Sequence, residues 1–294
     1  MTSMNAESKE LTEVSLNQPA RGDAPITIQQ IRKMVRSQQR FTCLTCYDAT
    51  TARWLQEAGI ELLLVGDTAA EVILGLPETI HAPLDFMILL TAAVKRGAPK
   101  CLVMADMPFL SYQVNDGQAL TNAGRFLTEG QADLVKLEVD HRFTGTVEHL
   151  VRGGIPVVAH IGSRPQQAKL TGGYHSSGRT AQDARRLVND AVLMAEAGAV
   201  MLLLEATPVE VAQRIVESVA CPVISCGAGP DCHGQVVVLQ DILGLSSWQP
   251  KFAKPQAQIG PQISAAVERW ATQVRNNDLG EHPYTMREGE ADLF

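Results

Sequence analysis

Glu61-Leu62-Leu63-Leu64-Val65-Gly66-Asp67-Thr68 is an apolar run without polar alternation that stops on a carboxylate. A strand apolar on both faces belongs in a parallel sheet covered by helices, and the ligands of such sheets bind outside the carboxyl ends of the strands. The run therefore reads as a buried strand that delivers Asp67 to the rim of a site. Two later segments repeat the design: Cys101-Leu102-Val103-Met104-Ala105 stops on Asp106, and Leu134-Val135-Lys136-Leu137 stops on Glu138. Three carboxylates at one sheet edge, with no His or Cys beside them, form an oxygen-rich set that suits Mg²⁺ or another hard divalent ion better than a soft metal.

Outward from these strands, apolar runs alternate with helical periodicity. Expected strands are Phe41 to Cys46, Leu62 to Gly66, Leu102 to Ala105, Leu134 to Leu137, Val157 to His160, Val200 to Leu204 and Val223 to Ser225. Between them lie helices over Ala49 to Glu57, Leu84 to Arg96, Asp116 to Thr128, Thr144 to Arg152, Ala181 to Ala197 and Val209 to Ser218, several closed by a Gly that turns the chain back. A helix over Gly234 to Leu243 is expected to lead to a short eighth strand near Pro250-Lys251-Phe252-Ala253. The fold class is α/β, and eight βα units predict a (β/α)8 TIM-type barrel. The competing open, doubly wound sheet lacks a G-x-G-x-x-G turn after its first strand.

Residues 1–25 are polar, mix both charges and read as a mobile extension. Thr27 is placed to cap a helix over Ile28 to Ser37. Residues 26–277 then hold the barrel and a last helix, Ile263 to Val274, and 278–294 form a polar tail. The 294 residues are 45% hydrophobic, enough for a packed core, and 25 basic against 32 acidic residues give a net charge of −7. No basic stripe interleaved with aromatics points to nucleic acid, and no apolar run reaches the roughly 20 residues of a membrane span. The chain is expected to be soluble. Six scattered cysteines and no secretory signal fit a reducing cytoplasm; Cys221, Cys226, Cys232 and His233 lack paired C-x-x-C zinc spacing.

Taken singly, an Asp after a strand is as readily a helix N-cap; three in register point to a site. Lys136 lies two residues before Glu138, so both face the same side of a strand. Buried there, it requires a partner, either a carboxylate in a structural ion pair or an anionic substrate. Glu205 ends the run Val200 to Leu204, as a capping acid or as a general base with a pKa raised by partial burial. His160 ends its own strand, as a satisfied core histidine or a substrate contact.

Further segments are Thr91-Ala92-Ala93-Val94-Lys95-Arg96-Gly97-Ala98-Pro99, Ala105-Asp106-Met107-Pro108-Phe109, Val135-Lys136-Leu137-Glu138, Leu170-Thr171-Gly172-Gly173-Tyr174, Leu203-Leu204-Glu205, Gly227-Ala228-Gly229 and Pro250-Lys251-Phe252-Ala253-Lys254. With Val65-Gly66-Asp67-Thr68 they resemble the ketopantoate hydroxymethyltransferase family, in the family's order, over roughly Ile28 to Ala271. The resemblance implies a (β/α)8 barrel in which Asp67, Asp106 and Glu138 surround Mg²⁺. Thr68 and Lys136 would contact a 2-oxo acid, with Asp67, Asp106 and His160 completing its pocket, and Glu205 would be the catalytic base. It implies transfer of a hydroxymethyl group from 5,10-methylenetetrahydrofolate to 3-methyl-2-oxobutanoate, giving 2-dehydropantoate on the way to pantothenate, in a large homo-oligomer for which the terminal helix is a candidate contact.

The chain departs from the family in its rim loops. Thr68 replaces the family's Ser and keeps the hydroxyl. Gly75-Leu76 stands for Gly-His, Thr79-Ile80-His81-Ala82-Pro83 for Thr-Leu-Pro-Val-Thr, and Leu90 for a His. His160-Ile161-Gly162-Ser163-Arg164-Pro165-Gln166 stands for His-Leu-Gly-Leu-Thr-Pro-Gln, and Gly172-Gly173-Tyr174-His175-Ser176-Ser177-Gly178-Arg179 for Gly-Gly-Tyr-Lys-Val-Gln-Gly-Arg. Two alternatives stay open: a paralogue running the same chemistry on another 2-oxo acid or one-carbon donor, and a catalytically silent barrel subunit. A more distant one, the phosphoenolpyruvate mutase and isocitrate lyase group, predicts a Cys or an acid in the Lys169 to Arg179 loop, which has neither.

Overall fold

Eight parallel strands pair in chain order and close on themselves, β8 returning to β1. They are β1 Phe41–Thr45, β2 Leu62–Val65, β3 Leu102–Asp106, β4 Leu134–Glu138, β5 Val157–Gly162, β6 Met201–Glu205, β7 Val223–Cys226 and β8 Gly234–Val237. The computed structural model describes residues 24–294, so the extension expected over 1–25 lies almost wholly outside the described residues. The helices are α1 Ile28–Arg36, α2 Ala49–Glu57, α3 Ala69–Val72, α4 Leu84–Gly97, α5 Asp116–Thr128, α6 Thr144–Arg152, α7 Ala168–Thr171, α8 Ala181–Glu196, α9 Val209–Ser218, α10 Leu239–Ile242 and α11 Ile259–Arg275. This is the (β/α)8 barrel that the alternation predicts.

The period-2 geometry of a strand sorts side chains into two layers. Leu62, Leu102, Leu134, Met201 and Ile224 turn inward and fill the lower lumen, while Leu63, Val103, Val135, Leu202 and Val223 turn outward under the helices. Inward positions further along the same strands are polar: Asp106 on β3, Lys136 and Glu138 on β4, His160 on β5 and Glu205 on β6. The lower end is stoppered by α1, whose Ile31 is fully buried among the inner residues. A capping box starts that helix, Gln30 N–H donating to Thr27 Oγ1 and Thr27 N–H to Gln30 Oε1.

The last βα unit differs from its sequence expectation. The eighth strand is Gly234–Val237, directly after β7, and the helix expected over Gly234 to Leu243 shrinks to the single turn Leu239–Ile242. The run Gly234-Gln235-Val236-Val237 ends in β-branched residues that favour strand, and Phe41 on β1 fills the space where a Cβ at 234 would stand. Pro250-Lys251-Phe252-Ala253 is a turn closed by Ala253 N–H donating to Pro250 O, and it lays the Phe252 ring over Gly227. Beyond it, α11 has no buried residue and exposes Ile263, Val267, Trp270 and Val274 at i, i+4, i+7 and i+11. Among the described residues, no helix is long and apolar enough to cross a membrane, and none of the cysteines is in a disulfide.

Candidate active site

The upper polar layer is assembled by strand register. Asp106 pairs with Lys136 across β3 and β4, Glu138 with His160 across β4 and β5, and Gly162 with Glu205 across β5 and β6. Gly162 has φ +96°, and a Cβ there would stand 2.4 Å from Glu205 O, so only glycine lets β5 pass so close to the end of β6.

These contacts make one chain across five strands. Asp67 N–H donates to Asp106 Oδ2 at 3.1 Å, and Asp106 Oδ1 pairs with Lys136 Nζ at 2.8 Å. Lys136 Nζ lies 3.2 Å from His160 Nδ1, and His160 Nε2 lies 3.3 Å from Glu205 Oε2. Thr68 Oγ1 sits 2.5 Å from the Tyr47 hydroxyl. Asp67, Asp106, Lys136, Glu138 and His160 are buried, whereas the Glu205 side chain keeps 21% of its surface accessible and faces the cavity.

Gln166 is a functional candidate that reading the sequence missed. Its backbone N–H donates to the Glu138 carboxylate at 3.0 and 3.3 Å, and its Nε2 donates to Asp67 Oδ2 at 2.9 Å and Met107 O at 3.0 Å. The Tyr112 hydroxyl, 2.9 Å from Gln166 Oε1, fixes the amide's orientation. The only sequence signal for Gln166 is its place in the segment that begins at His160.

Burial, then the charge of Asp67, pushes the Asp106 and Glu138 carboxyls up from their ordinary range. Burial alone would lower Lys136, but the charges of Asp106, Asp67 and Glu138 hold it above the usual ammonium value. Burial, then the Lys136 charge, lowers His160, which favours the neutral ring. Four carboxylates thus face one ammonium, a surplus of negative charge in a largely dry site.

All seven candidates, Asp67, Thr68, Asp106, Lys136, Glu138, His160 and Glu205, line one cavity of about 840 Å³ at the carboxyl ends of the strands. Among the described residues no three His, Cys, Asp or Glu side chains stand together as a ready-made metal-ligand group. Asp67 and Asp106 are in direct contact, while the Glu138 oxygens accept from Gln166. Hard oxygen donors and surplus negative charge fit a divalent ion held by two carboxylates with substrate oxygens and water, the usual coordination of Mg²⁺.

Fold and site together define a (β/α)8-barrel enzyme whose polar machinery sits at the C-terminal face of the barrel. Residues 25–282 match the family model described as ketopantoate hydroxymethyltransferase. A 3-methyl-2-oxobutanoate hydroxymethyltransferase of Hyperthermus butylicus is 42% identical over 271 residues, spanning 92% of this chain and 94% of the relative. One from Thermobifida fusca is 45% identical over 249 residues, 85% of this chain and 89% of the relative. The chain belongs to the ketopantoate hydroxymethyltransferase family and is an enzyme of the transferase class. Among solved structures, a phosphonopyruvate hydrolase in complex with oxalate and Mg²⁺ superposes with TM-score 0.59 at 14% identity, covering 91% of this chain and 95% of that one. A 2,3-dimethylmalate lyase of the phosphoenolpyruvate mutase and isocitrate lyase superfamily superposes with TM-score 0.56 at 16% identity, covering 92% and 97%. Both share the barrel.

Proposed function

We propose that this enzyme transfers a hydroxymethyl group from 5,10-methylenetetrahydrofolate to 3-methyl-2-oxobutanoate, forming 2-dehydropantoate. The observation that carries the reading is the unbroken contact chain from Asp67 to Glu205, which sets a cavity-facing carboxylate against a buried acid and ammonium cluster. The names of the relatives supply the acceptor. Asp67 and Asp106 would hold the divalent ion, with Glu138, the third acid of the expected ligand set, tied to Asp67 through Gln166. When bound, the ion supplies Lewis-acid polarisation of the 2-oxo acid, stabilising the negative charge that develops as C3 loses its proton.

The chain's own groups do the rest. Lys136, held as an ammonium, attracts the acceptor's carboxylate, and Thr68 offers a hydroxyl beside it. Glu205 takes the C3 proton on the cavity side. His160 holds Glu205 in place from below. The C3 carbanion equivalent then attacks the folate-borne methylene carbon as its bond to N10 breaks and N10 takes up a proton. Water then displaces N5 from that carbon, leaving the hydroxyl on the product and a proton on N5 of tetrahydrofolate. The apolar stripe of α11 is the face through which we expect copies of the chain to assemble as a homo-oligomer.

Incubation with both substrates and Mg²⁺ should yield 2-dehydropantoate by mass spectrometry; absence of product would overturn the reading. Exchange of the C3 proton with solvent, followed across a panel of 2-oxo acids, separates this reaction from a paralogue's. Exchange without transfer would point to a different one-carbon donor, and faster exchange of another acid to a different acceptor.

A further inference from the structure

One carboxylate on the cavity wall plays no part in the contact chain. Glu71 lies on α3, three residues and so about one helical turn beyond Thr68. It lines the cavity and is half-buried, and among the described residues no hydrogen bond or ion pair engages its side chain. Burial, then the charges of Asp67 and Glu78, raises its pKa, as expected of a carboxylate without a donor. Across the mouth, the segment after β5 is tied down by Gln166 to Asp67 and by Lys169 to Glu78 at 3.1 Å. That segment carries Tyr174, which lines the same cavity with 58% of its surface exposed and whose hydroxyl pKa is raised first by burial and then by the charge of Glu71.

A half-buried carboxylate without a partner among the described residues, in one cavity with an exposed aromatic face, suits a planar heterocycle with adjacent N–H donors: the carboxylate accepts a donor pair and the ring packs on the aromatic. A cavity of about 840 Å³ also exceeds what a small branched 2-oxo acid fills and lies within the range of drug-sized ligands. The 2-amino-4-oxopyrimidine edge of a folate presents such a pair, the ring N–H and the exocyclic amine. We propose that Glu71 and Tyr174 form the subsite for the heterocycle of the one-carbon donor, with Glu71 accepting its N–H pair. This assignment rests on the folate reading above. It also sets the direction of binding, because the negative charges of Asp67, Glu71 and Glu78 repel the glutamyl carboxylates of the same molecule and leave that tail toward solvent.

The test is calorimetric titration with 5-formyltetrahydrofolate, a stable folate bearing the same ring edge. It is run on the wild-type chain, Glu71→Gln and Tyr174→Leu, with 3-methyl-2-oxobutanoate and Mg²⁺ titrated separately. Loss of a charge-assisted donor pair should weaken folate binding by about tenfold or more in Glu71→Gln, and Tyr174→Leu should weaken it as well, while oxo-acid affinity stays within a factor of about two. Wild-type binding that both variants retain would overturn the subsite and leave the folate reading standing. Equal losses for folate and oxo acid would overturn it too, by making Glu71 an acceptor contact. A wild-type chain that binds no folate would overturn both.

Discussion

His160 Nε2 lies 3.3 Å from Glu205 Oε2 while Nδ1 of the same ring lies 3.2 Å from Lys136 Nζ. An ammonium has donors and no acceptor, so Lys136 donates to Nδ1 and the proton of the neutral ring resides on Nε2, which lies close to Glu205 without a formed hydrogen bond. His160 thus bounds the buried side of Glu205, and we take it as a positioning residue for that carboxylate. His160→Ala should slow C3 proton exchange by about 10²-fold through misplacement of the base, and His160→Asn, which keeps an N–H donor, should recover part of the loss. Exchange in His160→Ala within a factor of about two of wild type would remove the role.

Gln166 links two acids by separate groups, its backbone to Glu138 and its side chain to Asp67. Hydrogen bonds to ligating carboxylates typically carry about 10–100-fold in metal affinity. Gln166→Leu should therefore weaken Mg²⁺ binding by about tenfold, read by calorimetry, with a fold unchanged by circular dichroism. Unaltered affinity would show that Asp67 is oriented without it.

Burial and the charge of Asp67 raise the Asp106 carboxyl, so the folded chain holds that proton more tightly than the unfolded chain does. From the ordinary carboxylate pKa of about 4 up to the raised folded value, the folded state binds more protons, and stability falls as pH rises. In a chelating buffer, the wild-type Tm should drop relative to Asp106→Asn between about pH 5 and about pH 8. Mg²⁺ should lessen the drop by supplying countercharge. A difference in Tm that does not vary with pH would contradict the buried like-charge pair.

An added Cβ at Gly234 would stand 2.4 Å from the Phe41 ring, itself 1% exposed. Gly234→Ala should cost about 1–3 kcal/mol by overpacking, seen as a lower denaturation midpoint, and Phe41→Leu in the same chain should restore part of it. An unaffected midpoint would undo the placement of β8 against β1.

The sequence made the barrel legible because six of its strands, β2 to β7, are buried on both faces along most of their length and so appear as mostly apolar runs such as Leu62-Leu63-Leu64-Val65, while β1 shows as an alternation of buried and more exposed positions. The acids were legible for the same reason: a run that ends on Asp106 or Glu138 can end only at the rim. β8 escaped because its Val236-Val237 run continues without a break through Val238 and Leu239 into a helical turn, so that strand and turn read together as one helix. Gln166 escaped because it acts on Asp67 from 99 residues away, and nothing in its local segment records that contact. Glu71 was hidden by its helix, where an acid in the first turn reads as favourable electrostatics alone.

With Ile31 stoppering the lower lumen among the described residues, the acceptor and donor of the proposed reaction would share the mouth at the carboxyl ends of the strands. On that reading an oxo acid seated against the buried acids would have to enter ahead of a bulkier folate, and reloading would wait until both products had left. Slow departure of either product would therefore set the pace of the whole cycle.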